Sequence, residues 1–235
     1  MNPKDFSQFV QDAFQTDEFI PLHVPIFKGN EKKYLEETID STFVSSVGAF
    51  VDKFEEQITN FTKVKKSVAV ASGTAGLHLS LKVVGVELED EVLTQALSFV
   101  ATANAITYCG AKPVFIDVDM DTMGLSPKHL KAFLDYFAEI RSDGTYNKQT
   151  NKRIGACVPM HTFGFMSRID EIVTICDQWN IPVIEDAAEA LGSLYKNKNA
   201  GSFGQMSAFS FNGNKIITSG GGGIVCTNDE SLADK

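Results

Sequence analysis

The chain has 235 residues, of which 43% are hydrophobic and 22% are charged, so it is long enough to bury a sizeable core. Its formal net charge of −9 argues against nucleic-acid binding, because phosphate contacts need clustered Lys and Arg. No apolar run is long enough for a membrane span, and we expect neither a span nor a signal peptide. The four cysteines lie far apart, which indicates free thiols in a reducing cytoplasm rather than a metal site or a disulfide framework.

Strand and helix signals alternate along the chain, which predicts an α/β sheet with crossover helices. After a helical face marked by Phe50, Phe54, Ile58 and Phe61, the predicted strands are 67–71, 92–94, 113–118, 154–160, 182–185 and 208–211. The predicted helices are 74–84, 100–108, 127 to about 140, and one marked by Ile169, Ile172, Val173 and Cys176. We expect 141–153 to be an exposed loop or hairpin, and the turn at 228–229 to start a new helix.

Lys215 is the first candidate for chemistry. It follows the apolar strand 208–211 and precedes the glycine tract Gly220–Gly223, where the backbone can approach a ligand closely. Most lysines at such a position are simply exposed. A lysine held in an apolar pocket, however, loses its charge easily, and Schiff-base chemistry requires an uncharged amine.

Asp186 is the second candidate, because it ends the apolar run 182–185. Side chains alternate along a strand, so Glu185 and Asp186 face opposite ways, and only one can reach a pocket at the carboxyl end of the strand. Asp186 could instead cap a following helix. In a pyridoxal 5′-phosphate enzyme, such a carboxylate pairs with the pyridine nitrogen and keeps it protonated.

Gly73, Thr74, Ala75 and Gly76 join a predicted strand to a helix. The N–H groups at a helix start and a threonine hydroxyl can bind a phosphate, although a tight turn with a capping hydroxyl explains the same residues. Phe99 is either a core residue or a ring stacked on a planar cofactor. No dinucleotide or P-loop motif is present in the sequence, and the histidines lack metal-ligand spacing.

Together these segments resemble the DegT/DnrJ/EryC1/StrS family of sugar aminotransferases, which are fold-type I pyridoxal-phosphate enzymes. The resemblance runs from about residue 20 to the end. The segments that carry it are FVSSVG at 43–48, SGTA at 72–75, PVFIDV at 113–118, EDAAE at 185–189 and SFNGNK at 210–215. NGNKII at 212–217 and PMHTFG at 159–164 are most similar to the branch that makes 4-amino sugars for legionaminic acid and bacillosamine.

The resemblance implies an α/β large domain with a mostly parallel central sheet and helices on both faces. It implies that Lys215 forms the Schiff base and carries a proton between sugar and cofactor, while Asp186 binds the pyridine nitrogen. The other residues that it implies at the cofactor are Gly73, Thr74, Ala75 and Ser210 around the phosphate, Phe99 on the ring, and Ala188 and Glu189 beside it. It also implies that His161 and Asn212 approach the substrate, and that no metal takes part.

The activity implied is transfer of an amino group, from glutamate, to a nucleotide-linked 4-keto-6-deoxy sugar for surface polysaccharide or nonulosonic acid biosynthesis. We expect a cytoplasmic homodimer without nucleic-acid or membrane partners. Another fold-type I activity, such as an aldolase or lyase, and a non-catalytic cofactor-binding regulator or fragment remain alternatives. We divide the chain into an N-terminal segment, 1–30, and a cofactor-binding large domain, 31–235, and expect a small C-terminal domain of the family to be missing.

Overall fold

The computed structural model describes residues 2–21 and 23–235. Its helices are α1 (Pro3–Phe14), α2 (Glu31–Ser41), α3 (Ala49–Thr62), α4 (Gly73–Val83), α5 (Val100–Tyr108), α6 (Pro127–Phe137), α7 (Ile169–Gln178) and α8 (Glu230–Ala233). Its strands are β1 (Lys66–Val70), β2 (Glu91–Gln95), β3 (Lys112–Ile116), β4 (Ala138–Arg141), β5 (Gly144–Asn147), β6 (Lys152–Val158), β7 (Ile184–Asp186), β8 (Leu194–Tyr195), β9 (Lys198–Asn199), β10 (Met206–Ser210) and β11 (Gly223–Thr227).

Nine of the described strands form a central sheet, and seven of them run in the same direction, in line with the mostly parallel sheet that the resemblance implies. One part has the order β1-β11-β10-β7 and the other β3-β2-β6-β5-β4. Parallel bridges from Cys157 to Val183 and from Met160 to Asp186 join the two parts. Strand β11 runs antiparallel to both of its neighbours, β1 and β10, and the hairpin β4–β5 adds the other antiparallel pairs.

Apolar side chains cover both faces of this sheet. Val92 belongs to one core cluster and the next residue, Leu93, to another, and Ala208 and Phe209 are divided in the same way. Strands buried on both faces have near-continuous apolar sequences. This pattern requires helices on either side, and it confirms the predicted α/β class.

Most predicted elements match the structure, and α5 matches the prediction at both ends. The prediction that α6 extends to about residue 140 is wrong, because the helix ends at Phe137. Ala138 has an extended backbone, with φ −95° and ψ 155°, and it pairs with Asn147 across β4 and β5. The ladder hydrogen bonds of this hairpin replace the last helical turn.

The segment 141–153, predicted as an exposed loop or hairpin, contains a hairpin that is partly buried. Gly144, with φ +152°, begins β5, and the side chain of Asn147 on that strand is buried. The Asn147 amide donates a hydrogen bond to Glu91 Oε2 over 2.8 Å. This polar contact joins the hairpin to β2, the strand that leads towards Phe99.

The N-terminal helices contribute little to the core, since neither α1 nor α2 has a buried residue. Within the described chain, no helix is both long and apolar enough to cross a bilayer. All four cysteines are described; each is buried with a free thiol. The short helix α8 confirms the predicted helical turn after residue 229.

Candidate active site

A pocket of about 290 Å³ lies where several chain segments meet at the carboxyl edge of the sheet. Asp186 ends β7 and Ser210 ends β10, and these two strands are parallel neighbours. Helix α4 begins directly after β1 on the same edge. Ligands of open α/β sheets gather at this edge because the strand-to-helix connections leave a crevice there. The residues that line the pocket are Ser72, Gly73, Thr74, Leu77, Phe99, Ala101, Met160, His161, Asp186, Ala188, Glu189, Ser210, Asn212, Asn214, Lys215, Gly221 and Gly222.

Lys215 lies in a turn after β10, where its N–H donates to the Asn212 carbonyl over 3.0 Å. Its side chain is only 10% exposed. The ammonium nitrogen donates to Glu189 Oε1 over 3.0 Å and lies 5.7 Å from the centre of the Phe99 ring. The lysine is therefore held inside the pocket, beside a carboxylate and an aromatic ring.

The carboxylate of Asp186 forms the buried floor of the pocket, with the residue only 3% exposed. Thr102 Oγ1 donates to its Oδ2 over 2.6 Å, and the Ala188 N–H donates to its Oδ1 over 3.2 Å. Burial raises the pKa of Asp186 above its ordinary value, and the hydrogen bonds from Thr102 and Ala188 only partly oppose this effect. A cation facing the carboxylate would stabilise its charged form.

The neighbouring carboxylate, Glu185, lies on the opposite face of β7. It is fully buried and accepts hydrogen bonds from the backbone N–H groups of Gly201, Phe203 and Gly204 over 2.9, 2.7 and 2.8 Å. A fourth bond, of 3.0 Å, comes from His161 Nε2. Burial acts to raise the pKa of Glu185, but the hydrogen bonds from His161 and the backbone outweigh it, so the pKa is lowered.

His161 lines the pocket, but its side chain has no exposed surface. One ring nitrogen contacts Glu185, and the other, Nδ1, accepts a hydrogen bond of 3.4 Å from the Ser167 N–H. Direct contact between this ring and a substrate, as the resemblance implies, does not agree with such burial. The pattern of the sequence alone could not reveal that both ring nitrogens are occupied by protein atoms.

The start of helix α4 forms the wall opposite Lys215. Ser72 is the N-cap, and its Oγ accepts the Ala75 N–H over 3.1 Å, so this N–H already has a partner within the protein. A side chain at Gly73 would place its Cβ 2.8 Å from the Cβ of Ser210. Only glycine therefore allows the helix start to approach β10 so closely, and this brings the Thr74 and Ser210 side chains to one end of the pocket.

Phe99 lies just before α5, and its side chain is 65% exposed at the mouth of the pocket. The sulfur of Met160 accepts a contact of 3.5 Å from the Phe99 N–H. Asn212 is also exposed at the mouth, where its side-chain amide donates to Asn214 Oδ1 over 3.2 Å. Ala188, half-buried, contacts the floor through its hydrogen bond to Asp186.

Sequence reasoning missed two residues that support this site. Thr102 carries the short hydrogen bond to Asp186, and its place three residues after Phe99 gives no signal of that contact. Gln95 is buried, and its side-chain oxygen accepts the N–H groups of Leu125 and Met160 over 2.9 and 3.1 Å. Its amide donates to Leu97 and Thr162 over 2.9 and 3.1 Å. It thereby ties β2 to the segments on either side of the pocket.

These residues fit pyridoxal 5′-phosphate. The pocket offers an enclosed lysine, a buried carboxylate and the start of a helix, which suit the aldehyde, the ring nitrogen and the phosphate of the cofactor. In the part of the chain that the structure describes, no cluster of His, Cys, Asp or Glu could hold a metal ion. The fold and the pocket together are those of the large domain of a fold-type I pyridoxal-phosphate enzyme.

Comparison with known proteins identifies the family. The chain belongs to the DegT/DnrJ/EryC1/StrS aminotransferase family, whose profile matches residues 25–235. It is 44% identical to the putative pyridoxal phosphate-dependent aminotransferase EpsN of Bacillus subtilis, over 92% of this chain and 53% of that protein. It is 40% identical to GDP-perosamine synthase of Caulobacter vibrioides, over 92% of this chain and 54% of that protein.

A solved structure supports the same family. DesI, determined in the presence of its TDP-sugar product, aligns with a TM-score of 0.78 and 30% identity, over 95% of this chain and 54% of DesI. The chain spans about half the length of the curated relatives that it matches. The family confirms the predicted fold class and the predicted cofactor, pyridoxal phosphate.

Proposed function

We propose that the protein transfers an amino group to a nucleotide-linked keto sugar with the help of pyridoxal phosphate. The observation that carries this proposal is that Lys215 and Asp186 line the same pocket as the start of α4. Family membership supports the aminotransferase class. The sugar nucleotides in the names of GDP-perosamine synthase and in the DesI structure support the substrate class.

We assign the binding of the cofactor to groups on three sides of the pocket. The helix start at Gly73 and Thr74, with the Ser210 hydroxyl, would bind the phosphate, because N–H groups at a helix N-terminus attract anions. Asp186 would hold a proton on the ring nitrogen. The Phe99 ring would cover one face of the cofactor ring, and Ala188 and Glu189 would lie beside it.

Lys215 would bind the cofactor and then move protons at the reacting carbon. When bound, pyridoxal phosphate supplies an aldehyde that accepts an amino group and a ring that withdraws electrons. Lys215 Nζ is enclosed in the pocket, and it acts as a nucleophile once solvent has taken one of its protons. We propose that this nitrogen carries the proton to and from the sugar carbon that receives the amino group, while the buried floor excludes water.

We further propose glutamate as the amino donor, a 4-keto-6-deoxy hexose on a nucleoside diphosphate as the acceptor, and a role in surface polysaccharide or nonulosonic acid synthesis. Asn212, exposed at the mouth, is our candidate for contact with this substrate. Large apolar side chains, Phe163, Ile216 and Ile217, are exposed near the mouth, and they support a homodimer that covers them. We keep 31–235 as the cofactor-binding domain and 1–30 as an N-terminal segment.

The test has two stages. Purified protein is mixed with pyridoxal phosphate, reduced with borohydride and mapped by peptide mass spectrometry, and we expect the added mass on the peptide that contains Lys215. The protein is then loaded with pyridoxamine phosphate and offered nucleotide-linked keto sugars, and we expect an amino sugar to form.

The control variants are Lys215→Ala, which should abolish the labelled peptide, and Lys198→Ala, which should not. Lys198 is a suitable match because it lies away from the pocket, over the Phe203 ring. Labelling at another lysine would contradict the assignment of Lys215. Release of an aldehyde from the substrate, in place of an amino sugar, would favour a lyase or aldolase.

A further inference from the structure

Two titratable side chains below the pocket have no part in the chemistry proposed above. Glu185 and His161 are both fully buried, and they contact each other through Oε2 and Nε2 over 3.0 Å. An unpaired charge at such depth is strongly destabilising. The pair lies directly behind Asp186, and the backbone of His161 is bonded to that of Asp186.

The hydrogen bonds define the proton arrangement of His161. The backbone N–H of Ser167 points at Nδ1 over 3.4 Å, and a backbone N–H can only donate. Nδ1 therefore acts as the acceptor, and the ring proton lies on Nε2, which donates to Glu185. In this arrangement the Nε2–H of His161 adds a fourth donor to a carboxylate already held by three backbone N–H groups.

The same residues are joined to Asp186 through the backbone. The His161 N–H donates to the Asp186 carbonyl over 3.1 Å, and the Asp186 N–H donates to the Pro159 carbonyl over 2.9 Å. The ends of β6 and β7 are thus fastened together at the point where the Asp186 side chain enters the pocket. Glu185, the preceding residue, fastens β7 from the other face to the 201–204 segment.

We propose that His161 is a positioning residue: its Nε2–H holds Glu185, and this contact fixes the end of β7 so that Asp186 meets the ring nitrogen of the cofactor. The inference rests on the proposed function, because it assumes that Asp186 faces pyridoxal phosphate. Without the donor, Glu185 keeps an under-compensated charge in the interior. The end of strand β7 then shifts to relieve it, and Asp186 shifts with it.

Two amide variants of different length test this role. In His161→Gln the amide nitrogen can occupy the place of Nε2, whereas in His161→Asn the side chain reaches only the place of Nδ1. The proteins are loaded with pyridoxal phosphate labelled with ¹⁵N in the ring, and the nitrogen chemical shift reports whether that nitrogen is protonated. Cofactor affinity is measured in parallel, together with the melting temperature of the cofactor-free protein.

We expect a protonated ring nitrogen in the unmodified protein and in His161→Gln. We expect a loss of that signal and at least about tenfold weaker binding in His161→Asn, the size associated with a lost hydrogen bond to a charged group. His129→Asn is the matched control, because His129, on α6, is exposed and its Nδ1 lies 4.0 Å from an Asp117 carboxylate oxygen. It should change neither readout.

The outcomes separate the two proposals. A lower melting temperature in His161→Asn with an unchanged ¹⁵N signal would overturn the positioning role and leave a structural one. An unprotonated ring nitrogen in the unmodified protein would instead contradict the assignment of Asp186, and with it the proposed function. If His161→Asn does not fold, ¹⁵N-histidine spectra of the unmodified protein decide the matter: a neutral Nε2–H ring supports the proposal, and a proton on Nδ1 overturns it.

Discussion

The side chains of Lys215 and Glu189 meet across the pocket, with 3.0 Å between Nζ and Oε1. Glu189 lies just after β7 and Lys215 just after β10, so the contact depends on the parallel pairing of these two strands. The lysine is 10% exposed and the glutamate 36% exposed. The contact pairs the Lys215 ammonium with a carboxylate, whereas covalent attachment of an aldehyde needs a free amine.

Replacing Glu189 with Gln should therefore speed the reaction of Lys215 with pyridoxal phosphate near neutral pH. The amide keeps the shape of the side chain but removes the negative charge that pairs with Lys215 Nζ. Because Glu189 is partly exposed, we expect a modest change of roughly two- to fivefold. Stopped-flow absorbance during cofactor uptake measures this rate, and a slower rate in Glu189→Gln would show that the carboxylate assists the lysine by accepting its proton.

Replacing Asp186 with Asn should lower turnover and, in the cofactor-free protein, raise stability. We expect turnover to fall by about 10²–10³, the usual cost of losing one preorganised electrostatic partner. In the cofactor-free protein the same variant should be more stable at neutral pH. The reason is that burial raises the pKa of Asp186 in the folded state, so the ionised carboxylate costs stability there.

The stability gained in Asp186→Asn should depend on pH, because the pKa of Asp186 is raised in the folded state. A raised pKa means that the folded chain binds the proton more tightly than the unfolded chain, so the stability of the unmodified protein falls as the pH rises through that pKa. The advantage of Asp186→Asn in melting temperature should thus be small near about pH 4 and grow towards about pH 7. An advantage that shrinks over this range would contradict the raised pKa.

Replacing Glu185 with Gln should mainly lower stability. Four donors point at this buried carboxylate, and an amide places N–H groups against at least one of them. We expect a loss of about 3 kcal/mol in the free energy of unfolding, measured by urea denaturation at pH 7. Glu36→Gln, at an exposed position on α2, is the control and should change the free energy little.

Replacing Gly73 with Ala tests the close approach of α4 to β10. The new methyl group would lie 2.8 Å from the Ser210 Cβ, so one of the two segments must move. We expect a loss of about 1–3 kcal/mol in stability from overpacking, together with weaker binding of pyridoxal phosphate, measured by fluorescence titration. Gly213→Ala is the control because nothing lies within 4 Å of its added Cβ; equal effects of the two substitutions would argue against a phosphate site at the start of α4.

The sequence by itself determined the class of fold and the nature of the chemistry. Apolar runs and helical spacing depend on neighbours along the chain, so they predicted β1, β2, β3, β6, β7 and β10 and placed α5 at both ends. They did not predict β11, which lies between β1 and β10 in the sheet. Lys215, Asp186 and the glycine at 73 were found for the same reason, since each lies directly after or beside a predicted strand. The end of α6 was predicted wrongly, because a distant pairing with Asn147 decides the conformation of Ala138.

The tertiary structure alone decided which side chains share a contact. Thr102 meets Asp186 across 84 positions of the sequence, and no local pattern encodes that distance. His161 follows β6 and Glu185 lies on the neighbouring strand β7, yet only the packing of the 201–204 segment and of Ser167 encloses them. Side-chain burial and hydrogen-bond partners arise from segments that are brought together by the sheet order, and the sheet order is a property of the whole fold.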